Sequence, residues 1–256
     1  MLRFFLILFG VSFLTSGAEA NRIEKVHSSL LGRNVEIALH EPTPEALGRW
    51  RAAHGEGRLH LVLFLPGGFD EPKDLLSHGI YAELSRREAA GEIAPSLWVA
   101  MEHFWAWYAD RQDGRFPFAR FLTEELLPRM AARFPGFGGA REARSVAGLS
   151  MGGFGALNLC GRTKLFSRCA ALSPALAEPP FKQAGWWVRR SLVRAFPLDP
   201  AAFAPWNPWQ HLGGDAELVL GCGLQDKYGL ADPTRDFARL RTQAGRPPVK
   251  LDLRLG

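Results

Sequence analysis

The sequence predicts an α/β fold with a mostly parallel central sheet and helices on both faces. Three observations lead there. Short apolar runs alternate with helical stretches from about residue 35 to the end. Several of the runs are near-continuous in apolar residues, as strands covered on both faces are. The 256 residues, 47% of them hydrophobic, are enough for one such domain with a sizeable core. Strands that alternate with helices pair in parallel, because each helix returns the chain across the sheet.

The first twenty residues stand apart from that pattern. Arg3 gives a positive start, Phe4 to Leu14 is an apolar run, and Ala18-Glu19-Ala20 reads as a small-residue cleavage site. This is the three-part pattern of a secretory signal peptide over residues 1–20, so the mature protein is expected to be secreted or periplasmic. An uncleaved membrane anchor is the alternative, but the apolar run is short for a bilayer. No Cys follows it to take a lipid, and no stable span is expected in the mature chain.

The elements then follow in order. Val35, Ile37 and Leu39 alternate with polar or small residues, as in a half-buried antiparallel strand. Leu59 to Leu65 reads as a central parallel strand that ends at the loop signal Pro66-Gly67-Gly68. A helix is expected around Asp74 to Ala90, then a strand at Ser96 to Met101. Phe118, Leu122, Leu126, Met130 and Phe134 recur every four residues and draw one apolar helix face, which Pro128 is expected to kink. Arg144 to Leu149 is a strand, followed at once by a small-residue helix from Gly152 to Cys160. Cys169 to Leu172 and Leu218 to Cys222 continue the strands, Pro233 to Ala244 is a helix, and Val249 to Leu255 is a last strand. Residues 175–212 break the rhythm with many Pro and Trp. They read as an insertion within the 21–256 domain, over the C-terminal edge of the sheet, where such folds place ligands. Its Trp residues either face a substrate or pack the insertion onto the domain.

Charge and cysteine content exclude several function classes. The formal net charge is +5, and loss of Arg3 and Glu19 together would leave it unchanged. The arginines are interspersed with acids and form no basic stripe, so a solvated surface is expected rather than a nucleic-acid partner. There is no C-x-x-C or H-x-x-H spacing, so neither a metal nor another cofactor is expected. Cys160 and Cys169 either pair in an oxidising compartment or stay buried thiols, and Cys222 sits in a strand.

The chemistry centres on Gly148-Leu149-Ser150-Met151-Gly152, a G-x-S-x-G motif between an expected strand and an expected helix. That context suits a nucleophile elbow, in which a strained turn lifts the serine hydroxyl above the sheet. The glycines leave room for the turn and for the helix, and the Met151 N–H then faces a developing oxyanion at the helix N-terminus. A passive serine in a Gly-rich turn is the alternative. Pro66-Gly67-Gly68-Phe69 is placed to give the second oxyanion donor, with Gly68 first and Phe69 next if the register shifts. The acid is expected after a later strand, and Gly223-Leu224-Gln225-Asp226 supplies Asp226, whose alternative role is to cap the next helix. Asp232, just before Pro233, reads as the better cap, which leaves Asp226 for catalysis.

With those residues in place, the chain resembles the putative-esterase family of the α/β-hydrolase superfamily, which includes esterase D, enterochelin esterases, feruloyl esterases and the antigen 85 mycolyltransferases. The matching stretches are Ser29 to Ile37, Leu65 to Gly68, Trp107 to Asp110, Phe121 to Pro128, Ala147 to Gly153 and Gly223 to Asp226, in family order. The resemblance implies Ser150 as nucleophile, Asp226 as acid, and Gly68 and Met151 as oxyanion donors. Two departures stand in the first loop, where Pro66 replaces a frequent His and Phe69-Asp70 replaces a Gly-rich run.

A serine hydroxyl needs a base to take its proton. The family's His follows the last strand, and no His follows Asp226 here. His103 and His211 precede the acid, against the usual order. The base is therefore expected a few residues beyond Gly256, and the alternating Val249, Leu251, Leu253 and Leu255 are expected to need a further covering segment. As written to Gly256, the chain is expected to be nearly inactive. Three functions remain open at this point. One is an exported serine carboxylic-ester hydrolase acting on a small-molecule, glycan or lipid ester. The second is an acyltransferase on the same site, and the third a non-catalytic glycan- or lipid-binding protein on the same fold.

Overall fold

In the computed structural model, residues 21–182 and 184–254 are described. The expected signal peptide and Leu255 lie outside the described residues. The elements run β1 (Asn21–Ser28), β2 (Arg33–His40), α1 (Pro44–His54), β3 (His60–Leu65), α2 (Asp74–Ser77), α3 (Ile80–Ala89) and β4 (Ser96–Met101). Then come α4 (Phe118–Arg120), a π-helical segment (Phe121–Leu126), α5 (Leu127–Arg133), β5 (Arg144–Leu149), α6 (Met151–Arg162) and β6 (Arg168–Leu172). The last third holds α7 (Trp186–Ala195), α8 (Pro200–Phe203), α9 (Pro208–His211), β7 (Glu217–Gly223), α10 (Ala231–Gln243) and β8 (Val249–Arg254).

The strands form one sheet in the order β1-β2-β4-β3-β5-β6-β7-β8. β1 pairs antiparallel with β2 and β2 antiparallel with β4, and all other pairs are parallel. The chain passes from β3 outward to β4 and then back to β5 on the other side of β3. The loops after β3 and β5 therefore leave in opposite directions and open a crevice at their carboxyl ends. Register brings those ends level. Leu65 pairs with Gly148, Leu149 with Leu172, and Leu172 with Gly221. Pro66, Ser150, Ser173 and the turn after Gly223 thus leave one edge of the sheet together.

The parallel strands are apolar because both faces are covered. Leu61, Leu63, Leu65, Val146, Ala171 and Leu220 are fully buried. Helix α6 is buried along nearly its whole length, from Met151 to Cys160, so its sequence is small and apolar on every side. Phe118, Leu122, Leu126, Met130 and Phe134 are all buried, and Phe134 is the residue just past the end of α5. In a regular α-helix the Pro128 ring would strike the Glu124 carbonyl. The π-helical segment ahead of it widens the turn there, so the irregularity expected at Pro128 falls one turn earlier.

Two elements differ from the sequence reading. The single helix expected over Asp74 to Ala90 is two, because Gly79 takes φ 74° and starts α3 afresh. Residues 175–212 are largely helical and divide their Trp residues. Trp206 and Trp209 pack on the core, whereas Trp186 and Trp187 are 65% and 69% exposed. All three cysteines are buried free thiols, and burial pushes the Cys160 thiol well above its ordinary pKa.

The far end of the 175–212 segment is held by one buried cation. The Arg241 guanidinium, on α10, donates to the carbonyls of Leu212, Gly214 (2.9 Å), Ala216 (2.6 Å) and Pro247 (3.1 Å). Replacing it with Met leaves those carbonyls without their charged donor. Arg241→Met is expected to lower unfolding free energy by about 3–5 kcal/mol, read from urea denaturation. A loss under about 1 kcal/mol would show that the carbonyls find other partners.

Candidate active site

Ser150 sits between β5 and α6 with φ 53° and ψ −111°, a combination that L-residues rarely adopt. Its neighbours hold it there. The Ser150 N–H donates to Leu172 O at 2.8 Å, and Ser150 O accepts from Phe154 and Ala175 N–H, both at 3.0 Å. The strain is thus tied on one side to β6 and on the other to α6.

The glycines around it are steric requirements. A Cβ on Gly152 would lie 1.7 Å from Leu65 O, and one on Gly148 would lie 2.2 Å from Gly152 O. On Gly155 it would meet the Tyr108 ring at 2.6 Å, and on Gly153 it would lie 3.0 Å from Pro174 Cα. Helix α6 therefore approaches the end of β3 backbone to backbone. As the first residue of α6, Met151 has no acceptor for its N–H within the helix.

The loop after β3 is folded on itself by Asp70. Asp70 Oδ2 accepts from Gly67 N–H at 3.0 Å, and Asp70 N–H donates to Gly67 O at 3.1 Å. Gly67 N–H is therefore committed, and the next two amides, Gly68 and Phe69, are the ones that can face a ligand. A Cβ on Gly68 would touch the Trp105 ring at 2.7 Å, so glycine is what lets that ring lie on the loop. The replacement of a Gly-rich run by Phe69-Asp70 thus has a structural use: the Asp side chain closes the turn.

A second loop, after β4, fixes the first. Phe104, Trp105, Trp107 and Tyr108 all have φ between 49° and 55°, in the left-handed region. Each such residue costs about 1–3 kcal/mol, which packing must offset. Tyr108 OH donates to Pro66 O at 2.7 Å, and burial pushes its pKa well above the ordinary value. Trp107 Nε1–H donates to Ser191 Oγ at 2.9 Å, which ties the loop to α7. His103 Nε2 lies 3.0 Å from Asp70 O, and its Nδ1 accepts from Trp105 N–H at 3.0 Å. The imidazole is thus neutral with the proton on Nε2, and burial lowers its pKa. With both nitrogens occupied, His103 is a strut of the loop. The sequence contained this loop as an aromatic cluster, but only the contacts reveal its supporting role.

Asp226 leaves the same edge after β7 and is partly buried. Its Oδ1 accepts from Tyr228 N–H at 2.8 Å and from Leu230 N–H at 3.2 Å. These bonds orient the carboxylate by a local turn that leads into α10. Asp232 does not cap α10: it lies inside the helix and pairs with Arg235 at 2.5 Å, while the N-cap residue is Leu230. Asp232 therefore does not free Asp226 from capping, because Asp226 itself holds the start of the helix with one oxygen. Among the described residues nothing is bonded to its other oxygen. His211 is engaged elsewhere, with Nε2 at 2.9 Å from Pro205 O, and no described histidine is bonded to Ser150 or Asp226.

A family model described as "Putative esterase" matches residues 28–240. The fold is that of a ferulic acid esterase, with TM-score 0.71 and 20% identity over 92% of this chain and 89% of that one. It is equally that of an S-formylglutathione hydrolase from Staphylococcus aureus, with TM-score 0.72 and 15% identity over 93% and 91%. An enterobactin esterase from Shigella flexneri superposes with TM-score 0.63 and 14% identity, over 92% of this chain and 54% of that one. These likenesses establish an α/β-hydrolase fold. No curated protein matches the sequence.

Two outcomes follow from the site's packing. Gly152→Ala places a methyl group against backbone that cannot swing away, and is expected to cost about 3 kcal/mol or more. Gly48→Ala in α1, where a Cβ meets nothing within 4 Å, should change stability by less than about 1 kcal/mol. Equal thermal shifts in the two variants would contradict the close approach. The second concerns pH. Because burial holds the folded His103 pKa below the ordinary imidazole value of 6.5, the unfolded chain binds more protons in the window between the two. Stability therefore rises with pH there, and is lost as pH falls below about 6.5. The urea midpoint of the wild type should drop more steeply from pH 7.5 to pH 5 than that of His103→Gln. Parallel profiles would rule out a contribution from this imidazole.

Proposed function

The chain belongs to the putative esterase family, and from that premise we propose that it is a serine carboxylic-ester hydrolase acting through an acyl-enzyme on Ser150. The observation that carries the proposal is the backbone of Ser150. It is a non-glycine residue at φ 53° and ψ −111° at a strand-to-helix turn, which a passive serine has no reason to occupy.

The chemistry follows from the surroundings. Ser150 Oγ attacks the ester carbonyl as an imidazole base takes its proton, a part that neither His103 nor His211 is placed to play, and the carbonyl π pair moves onto oxygen. The N–H groups of Met151 and Gly68 receive that oxyanion, aided by the positive end of α6. The tetrahedral species collapses, the C–O bond to the alcohol breaks, and the alcohol leaves with the proton from the imidazolium. Water then repeats the sequence to release the acid. Asp226 orients the imidazole and stabilises its charged form. Its role is supported by a carboxylate held through Oδ1 with Oδ2 open to an imidazole N–H. The substrate is a small-molecule ester, and among the described residues no helix is long and apolar enough to cross a membrane. Export from the cytoplasm is part of the proposal, on the strength of the residue 1–20 pattern.

Hydrolysis of a short-chain 4-nitrophenyl ester by the full-length protein tests this. Ser150→Ala should lower kcat on the order of 10⁶-fold and Asp226→Asn on the order of 10⁴-fold. Full activity in Ser150→Ala would remove Ser150 from the mechanism.

A further inference from the structure

A pocket of about 420 Å³ opens beside Trp105, on the loop after β4. It is lined by Arg33, Phe104, Trp105, Phe116, Arg111 and Arg194, together with Ala106 and Ala195. Three arginines thus line one cavity with three aromatic residues, and no acidic residue is among its lining. That volume lies in the range of small-molecule sites.

The cations are poorly compensated within the protein. Arg111 pairs through Nη2 with Asp113, but its Nε is buried with no hydrogen-bond partner among the described residues. A buried unpaired donor on a charged group is costly and calls for an acceptor. Arg194 forms no ion pair with a described residue. Arg33 has none either, and stacks its guanidinium 4.2 Å from the Phe104 ring centroid. Like charges gathered in one cavity repel each other, and an anion entering it relieves that repulsion.

The walls are built rather than incidental. Gln112 N–H donates to Ala195 O at 3.1 Å and Gln112 Nε2 to Val193 O at 2.9 Å. Those bonds bind the loop carrying Arg111 to the last turn of α7 and occupy carbonyls that would otherwise oppose an anion there. Arg111 N–H donates to Phe116 O at 3.0 Å, and Phe116 meets Phe104 edge to face at 5.5 Å. Trp105 is shared: it lines this pocket, and its ring lies on Gly68.

We propose that this pocket binds a carboxylate or phosphate group carried on a flat apolar body. The guanidinium forks match a planar or tetrahedral oxyanion, and the rings of Phe104, Trp105 and Phe116 match the body. An ester substrate bearing such a group would be held one ring away from Gly68. That last link rests on the esterase reading, whereas binding itself does not.

The test is calorimetric titration of the Ser150→Ala protein, so that turnover plays no part. Phenyl phosphate and benzoate are the two anionic probes and benzamide is the neutral one. Both or one of the anions should bind at least about tenfold more tightly than benzamide, and the affinity should fall as salt rises from 20 to 300 mM, conditions chosen to span weak and strong screening, with Debye lengths of about 20 and 6 Å. Arg194→Gln, an exposed substitution that leaves folding intact, and Arg111→Gln should each weaken anion binding about tenfold, with Arg111→Lys recovering part of the loss. Whichever anion binds identifies the oxyanion. Equal binding of benzamide, no binding of either anion, or unchanged affinity in Arg194→Gln would overturn the proposal. An inactive wild type with anion binding intact would count against the esterase reading and leave the pocket standing.

Discussion

The structure depends on the contact between the start of α6 and the end of β3. The helix comes so close that a single methyl group at Gly152 would overlap the Leu65 carbonyl. Nothing but glycine allows this, and much of the site follows from it. The close approach forces the chain to turn within one residue after β5. That residue, Ser150, carries the strain, and the N-terminus of α6 is brought against the loop that follows β3. Reversal of the strand order at β3 and β5, which run parallel, supplies the crevice, and glycine supplies the proximity.

The loop after β4 supports this junction from the other side. It spends four left-handed aromatic residues in five positions to put Tyr108 beneath Pro66 and Trp105 on Gly68. The favourable terms are specific. Tyr108 and Trp107 are almost fully buried, each with its polar atom bonded, and His103 joins the two loops through one nitrogen each. Burial of two large aromatics stabilises by several kcal/mol, comparable with the conformational cost. Strain at Ser150 and strain at the aromatic loop are thus parts of one arrangement, in which packed backbone holds side chains that would relax if left alone.

Much of this was legible in the residues. The strands at Ser96 to Met101 and Arg144 to Leu149 have the bounds their apolar runs imply, because a strand buried on both faces leaves little ambiguity. The elbow was legible because its glycines have one physical explanation. The break at Gly79 was less so, since a lone glycine within a helical pattern is often tolerated. Asp226 and Asp232 show a different difficulty: one precedes α10 and the other lies in its first turn, and which one holds its start depends on how the turn is wound. The three arginines of the pocket come from β2, the aromatic loop and α7. Each reads alone as surface charge, and only the fold brings them to one cavity.

The central claim is that Ser150 carries the acyl group. It is tested most directly by mixing the full-length protein with a short-chain 4-nitrophenyl ester, quenching in acid during turnover, and locating the added acyl mass by peptide mass spectrometry. The account predicts an acyl group on the peptide that contains Ser150, at its hydroxyl, which disappears as substrate is exhausted. Turnover with the acyl group on another residue, or with no acylated peptide at any quench time while a control hydrolase shows one, would contradict it.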